Sequence, residues 1–109
     1  LSVDPLLAIP ALREALEQRQ SPIVAVSPLV EGKAVKGPTA KLMLELGLSV
    51  TNDSIAEHYG DLLDGLVIHQ DDDAPGGPAI LRTDTMMRTP ADRERVANAA
   101  LELARQCKP

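Results

Sequence analysis

Along the chain, short unbroken apolar runs alternate with stretches whose apolar positions return every three or four residues. Ile9, Leu12 and Leu16 recur at helical spacing with Arg13, Glu17 and Arg19 between them. Pro10 sits where a first turn tolerates it, so a helix is expected from about Pro10 to Arg19. Ile23-Val24-Ala25-Val26 lies between Ser21-Pro22 and Ser27-Pro28, as expected of a strand covered on both faces. A second helix is expected from Pro38 to Leu46, with Ala40, Met43 and Leu44 on one side. Further leucines at 42 and 46 leave little of it to face water, and Gly47 ends it. A short third helix fits Ser54 to Tyr59, where Ser54 and Glu57 have capping-box spacing and Gly60 follows as a stop; Asn52 is an alternative start.

Gly65 to His69 reads as another buried strand, followed by an exposed loop over Gln70-Asp71-Asp72-Asp73-Ala74-Pro75-Gly76-Gly77-Pro78. Ala79 to Arg82 forms a further candidate strand. The last helix has Thr89 as cap, Pro90 at its first position and Asp92 in the first turn. Val96, Ala99, Ala100 and Leu103 share one face, and the helix is expected to run to about Gln106. Helices and buried strands thus alternate, which predicts an α/β fold: an incomplete Rossmann-like, mostly parallel sheet with helices on both faces. Two or three strands are few for such a sheet. Residues 1–109 are therefore expected to form a single unit that is part of a larger domain, or a module completed by a partner.

Composition narrows the function classes. With 109 residues, 44% apolar and 25% charged, the chain has the balance of one folded globular unit. It has no Phe, no Trp and one Tyr, so stacking platforms for single-stranded nucleic acid are missing. A net charge of -5 also disfavours nucleic acid as a partner. There is no apolar run of membrane-spanning length and no basic leader, so no membrane association and a cytoplasmic location are expected. Cys107 stands alone and suggests neither a disulfide nor a metal site.

Charge is unevenly placed. From Ser27 to Lys41, three lysines (33, 36 and 41) stand against one acid, Glu31, a local +2 that leaves -7 for the rest. This segment follows a predicted strand, and ligands of open α/β sheets gather at the carboxyl ends of strands, where loop N–H groups and helix starts favour anions. Gly32 and Gly37 allow positive φ or close backbone approach, Lys33 and Lys36 neutralise charge, and Ser27 and Thr39 offer hydroxyl donors. A nucleoside-triphosphate loop is excluded, because Pro38 stands where that motif needs Lys. Two readings stand at this point: a cradle for a phosphate or diphosphate, and simple turn chemistry with solvated charge.

The runs Pro5-Leu6-Leu7-Ala8-Ile9-Pro10-Ala11-Leu12-Arg13-Glu14-Ala15-Leu16, Pro22-Ile23-Val24-Ala25-Val26-Ser27-Pro28-Leu29-Val30, Gly32-Lys33-Ala34-Val35-Lys36-Gly37-Pro38 and His58-Tyr59-Gly60 ahead of Leu66-Val67-Ile68 carry a likeness. In order and spacing they resemble the C-terminal part of the 2-phospho-L-lactate transferases of coenzyme F-420 biosynthesis. The resemblance implies transfer of a 2-phospholactyl or related phosphoacid group from a GDP-activated donor to the ribityl hydroxyl of a deazaflavin, with GMP leaving. It also implies magnesium, held by aspartates of an N-terminal half that is not in this chain. Family members run to roughly two or three times this length, within the range of one large domain. The segment Ser27, Pro28, Gly32, Lys33, Lys36, Gly37 and Thr39 matches the family's nucleotide and phosphate loop. No catalytic residue and no metal ligand is assigned here. Alone, the chain is expected to keep a phosphate half-site without turnover, and to self-associate through its exposed sheet edge as a homo-oligomer.

Two other features compete. Asp71-Asp72-Asp73 contains an Asp-x-Asp pattern suited to a divalent cation, against a solvated acidic loop. His58 is an acid-base candidate or polar surface, while Tyr59, four residues after Ile55, reads as core. A non-catalytic nucleotide-binding or oligomerisation module is the alternative to a transferase portion. The acid transferred is not legible.

Overall fold

The computed structural model describes residues 3–34 and 39–107. In chain order its elements are α1 (Asp4–Leu7), α2 (Pro10–Glu17), β1 (Val24–Val26), β2 (Leu29–Val30), β3 (Lys33–Ala34), α3 (Thr39–Glu45), α4 (Asn52–Tyr59), β4 (Gly65–His69), β5 (Ala79–Thr83) and α5 (Pro90–Gln106). A 3-10 turn over Gly60–Leu62 links α4 to β4.

The centre is β4, whose five residues are all buried. It pairs in parallel with β1 on one side and β5 on the other, Val24 and Ala79 both lying opposite Gly65. A parallel strand covered on both faces needs apolar residues at every position, which explains why Leu66-Val67-Ile68 lack polar alternation. Alternate side chains then point to opposite faces. Leu66 and Ile68 join Leu29 of β2, Met43 of α3 and Ile55 of α4 in one cluster. Each such fully buried side chain contributes about 1.5–3 kcal/mol.

The other face belongs to α5, which packs across β1, β4 and β5. Its start is reciprocal: the Thr89 side chain accepts from the Asp92 N–H, and the Asp92 carboxylate accepts from the Thr89 N–H. Near its end Leu103 sits over Gly65 so closely that a Cβ there would lie 2.8 Å from Leu103 Cδ2. Only glycine lets the helix come down on the strand at that point. With α3 and α4 on one face and α5 on the other, the chain is an incomplete Rossmann-like α/β fold, as its alternation of elements predicts.

Several details depart from the sequence reading. The strand β1 is not covered on both faces: Val24 and Ala25 are half-buried and Val26 is exposed, because β1 is an edge strand. In α3 only Met43 is buried, while Leu42, Leu44 and Leu46 are exposed, Leu44 at 65%. A seven-residue helix resting on one stripe leaves Leu42 and Leu44 largely to solvent, as it does Leu46 just past its end. The cap of α4 is Thr51, whose hydroxyl accepts from the Ser54 N–H at 3.2 Å, so the helix starts at Asn52 and the Ser54–Glu57 spacing is not its cap.

Candidate functional site

The carboxyl ends of β1 and β4 lie side by side because the two strands are neighbours in register. Beyond β1 the chain passes Ser27-Pro28 into a two-stranded antiparallel hairpin, with Leu29 opposite Ala34 and Val30 opposite Lys33. Its two turn residues, Glu31 and Gly32, have φ of 53° and 73°. Left-handed backbone at both central positions is what a tight hairpin needs to match strand twist. The glycine-lysine segment therefore begins as a hairpin, an arrangement the sequence reading did not foresee. Gly32 is required there for its φ and not for close approach, since a Cβ on it would meet nothing within 4 Å.

A cavity of about 240 Å³ opens between this hairpin, the start of α4 and the loop after β4. Gly32, Asn52, Asp53 and Asp71 to Asp73 line it, with Leu29, Val50 and Thr51. A helix start facing this space is that of α4, through Thr51, Asn52 and Asp53. Asp72 Oδ2 is buried and has no hydrogen-bond partner among the described residues. The acidic loop is held in place by the Arg82 guanidinium, which donates to the carbonyls of Gln70 and Asp72.

Of the residues singled out from sequence, Ser27 is buried at 4% exposure. Its hydroxyl accepts from the Leu29 N–H at 3.2 Å and donates to Asn52 Oδ1 at 2.5 Å. With its one hydrogen engaged, it reaches a ligand only if that bond opens. Pro28 is exposed on the same turn, and Thr39 begins α3, half-buried. Lys33 contributes backbone to β3, while Lys36, Gly37 and the Lys33 side chain lie outside what the structure describes. The structure thus brings Gly32 to the cavity beside Asp71 to Asp73, and holds Ser27 against Asn52 of the cavity wall. Asn52, which sequence reasoning treated only as a helix start, is the residue between them.

His58 lies elsewhere. Its Nε2 is 2.8 Å from the Asp4 carboxylate, and its ring meets Tyr59 edge-on at 4.9 Å. Burial, reinforced by Asp4, raises the Tyr59 hydroxyl to about 12. This cluster clasps α1 to α4 and is remote from the lining of the cavity. At the other end of α2, Arg19 donates to Asp64 at 2.8 Å, and Asp64 also accepts from the Ile23 N–H at 2.8 Å. Burial pushes the Asp64 carboxyl up, but those two hydrogen bonds and the Arg19 charge outweigh it, leaving it below the usual carboxylate range. Among the described residues no group of three or more His, Cys, Asp or Glu could hold a metal ion, and no helix is long and apolar enough to cross a membrane.

No protein-family model matches the chain. It is 40% identical over 98 residues to a 2-phospho-L-lactate transferase of Halobacterium salinarum, covering 90% of this chain and 28% of that protein. It is 39% identical over 103 residues to a 2-phospho-L-lactate transferase of Haloarcula marismortui, covering 94% and 30%. A phosphoenolpyruvate transferase of Mycobacterium leprae is 32% identical over 110 residues, covering 95% and 33%. The chain therefore spans about a third of the length of the curated relatives it matches.

Proposed function

We propose that the chain, which is similar over nine-tenths of its length to 2-phospho-L-lactate transferases, forms part of the donor site of an enzyme that moves a 2-phospholactyl or related phosphoacid group. The donor would be a GDP-activated phosphoacid and the acceptor the ribityl hydroxyl of a deazaflavin. The hydroxyl oxygen forms a bond to the donor phosphorus, the bond from that phosphorus to the bridging oxygen breaks, and GMP leaves with the electron pair. The hydroxyl proton passes to a base that no described residue is assigned to supply. The observation that carries this reading is identity to transferases over at least nine-tenths of the chain, under two names that both specify phosphoacid transfer.

The site supports the same reading in its location, at the carboxyl ends of adjacent parallel strands. Its charge is divided. The lysines at 33, 36 and 41 favour a diphosphate, whereas Asp53 and Asp71 to Asp73 on the cavity wall oppose a bare one. Magnesium, which the resemblance implies, finds no complete ligand set in the described residues, although the unpartnered Asp72 Oδ2 is a group that a cation could satisfy.

Calorimetric titration of GDP tests the assignment. Lys33→Ala and Lys36→Ala are each expected to weaken binding several-fold, with the loss shrinking as salt rises, because salt screens the attraction between an ammonium group and a diphosphate. Equal affinity for wild type and both variants would remove the donor site from this segment. The exposed leucines at 42, 44 and 46 favour a second reading, a nucleotide-binding or oligomerisation module docked through α3. Sedimentation of wild type and Leu44→Glu separates the two, since only docking through α3 makes assembly depend on that residue.

A further inference from the structure

Asn52 is 5% exposed, at the first position of α4, and its burial there is not explained by the helix. A polar residue at a helix start ordinarily caps it, but Thr51 already does so. The Asn52 amide is instead spent on two loops. Its Nδ2 donates to the Asp73 carbonyl at 3.3 Å, and its Oδ1 accepts from the Ser27 hydroxyl at 2.5 Å. The amide orientation follows from its partners: a carbonyl can only accept, so nitrogen must face Asp73 and oxygen must face Ser27. Because Ser27 Oγ also accepts from the Leu29 N–H, a continuous relay runs from the hairpin through Ser27 and Asn52 to the acidic loop. Arg82 ties that loop to β5; Asn52 ties it to the turn after β1.

We propose that Asn52 is a positioning residue which straps the Asp71 to Asp73 loop to the Ser27 turn, so that the carboxyl-end loops of β1 and β4 meet the donor nucleotide as one surface. The inference rests on the donor-site reading for its ligand, but the strap itself is a property of the protein without ligand. Asparagine is the side chain the geometry demands. Leucine would leave the buried Ser27 hydroxyl without its acceptor and the Asp73 carbonyl without its donor, and aspartate would keep an acceptor for Ser27 while losing the donor to Asp73.

That asymmetry supplies the test. Amide hydrogen exchange is followed in wild type, Asn52→Ala and Asn52→Asp, over residues 27–32, 52–59 and 70–76. Exchange at 70–76 is expected to rise several-fold in both variants, while 27–32 stays protected in Asn52→Asp because Ser27 still finds its acceptor. A residue serving only helix stability would raise exchange at 52–59 instead, and that pattern, or unchanged exchange at 70–76 in both variants, overturns the strap. GDP is then titrated in the presence of magnesium. Asn52→Ala is expected to bind about tenfold more weakly, the scale of one buried hydrogen bond; unchanged affinity with a loosened loop would overturn the positioning role. If wild type binds no GDP, the donor-site reading falls, and exchange at 70–76 still decides whether the strap exists.

Discussion

At one end of the molecule α5 buries Val96 and Leu103 against the sheet; at the other, α1 and α2 bury no side chain and meet the body through the clasps Arg19–Asp64 and Asp4–His58. Both ends carry apolar stripes at helical spacing. Leu103 lands on the gap left by Gly65, whereas Leu6, Ile9 and Leu12 are exposed. An amphipathic pattern states that a face is suited to burial, and packing begins only where another surface has the complementary shape. The two regions are thus secured differently, α5 by interdigitated side chains and the N-terminal arm by a few polar contacts.

The comparison can be broken most directly by truncating one leucine at each end. Leu103→Ala should cost about 3 kcal/mol, the range for a fully buried leucine, whereas Leu12→Ala should change stability by less than about 0.5 kcal/mol. Urea denaturation reads both, and similar costs would mean that the arm is packed after all. Next in size, Arg19→Ala should cost about 1–2 kcal/mol, because Asp64 keeps only its Ile23 hydrogen bond in a half-buried place. Limited proteolysis sharpens that result: cleavage near residues 18–22 should precede cleavage in α5, and synchronous loss of both would contradict a separately held arm.

Acid titration gives a smaller effect on each side. The Asp92 carboxyl is held down at about 2, chiefly by the Arg95 side chain with help from the Arg88 N–H, and Asp64 is also lowered. Their contributions are complete above the unfolded carboxylate value of about 3.9 and fade as pH falls toward the folded values. Asp92→Asn and Asp64→Asn should therefore each flatten the stability profile below about pH 4 while lowering stability near neutrality. A profile unchanged in both would sever the link between these contacts and the pH dependence. Smallest of all, Asp72→Asn should strengthen GDP binding about twofold without magnesium, by removing one partly screened charge from the cavity wall. Weaker binding in that variant would show the carboxylate assisting the nucleotide.

The helix α5 was legible because its signals are local: Thr89, Pro90 and Asp92 specify its start within four residues, and its apolar face repeats from Val96 to Leu103, about two turns. The hairpin was hidden, although Glu31-Gly32 is a two-residue turn between its strands, because two-residue strands are too short to show alternation. The Ser54–Glu57 spacing misled in favour of a capping box, while Thr51 lay three residues before Ser54 with equal capacity to cap. At the site, the sequence located the glycine-lysine segment at a strand's carboxyl end but treated Asp71 to Asp73 and Asn52 as unrelated to it. Lys36 and Gly37 fall outside the described residues, so their part of that expectation rests on charge alone.

What the order of residues determined by itself was whatever acts over a few positions. That includes the alternation of helix and strand, the unbroken Leu66-Val67-Ile68 run of β4, the cap of α5 and the concentration of lysines between residues 33 and 41. Tertiary structure decided which stripes found a partner and which chemical groups met. Ser27 and Asn52 are 25 residues apart, and Asn52 and Asp73 are 21 apart. A side chain's hydrogen-bonding capacity is written in its identity, but the direction in which it is spent depends on strands that pair only after the intervening loops have closed.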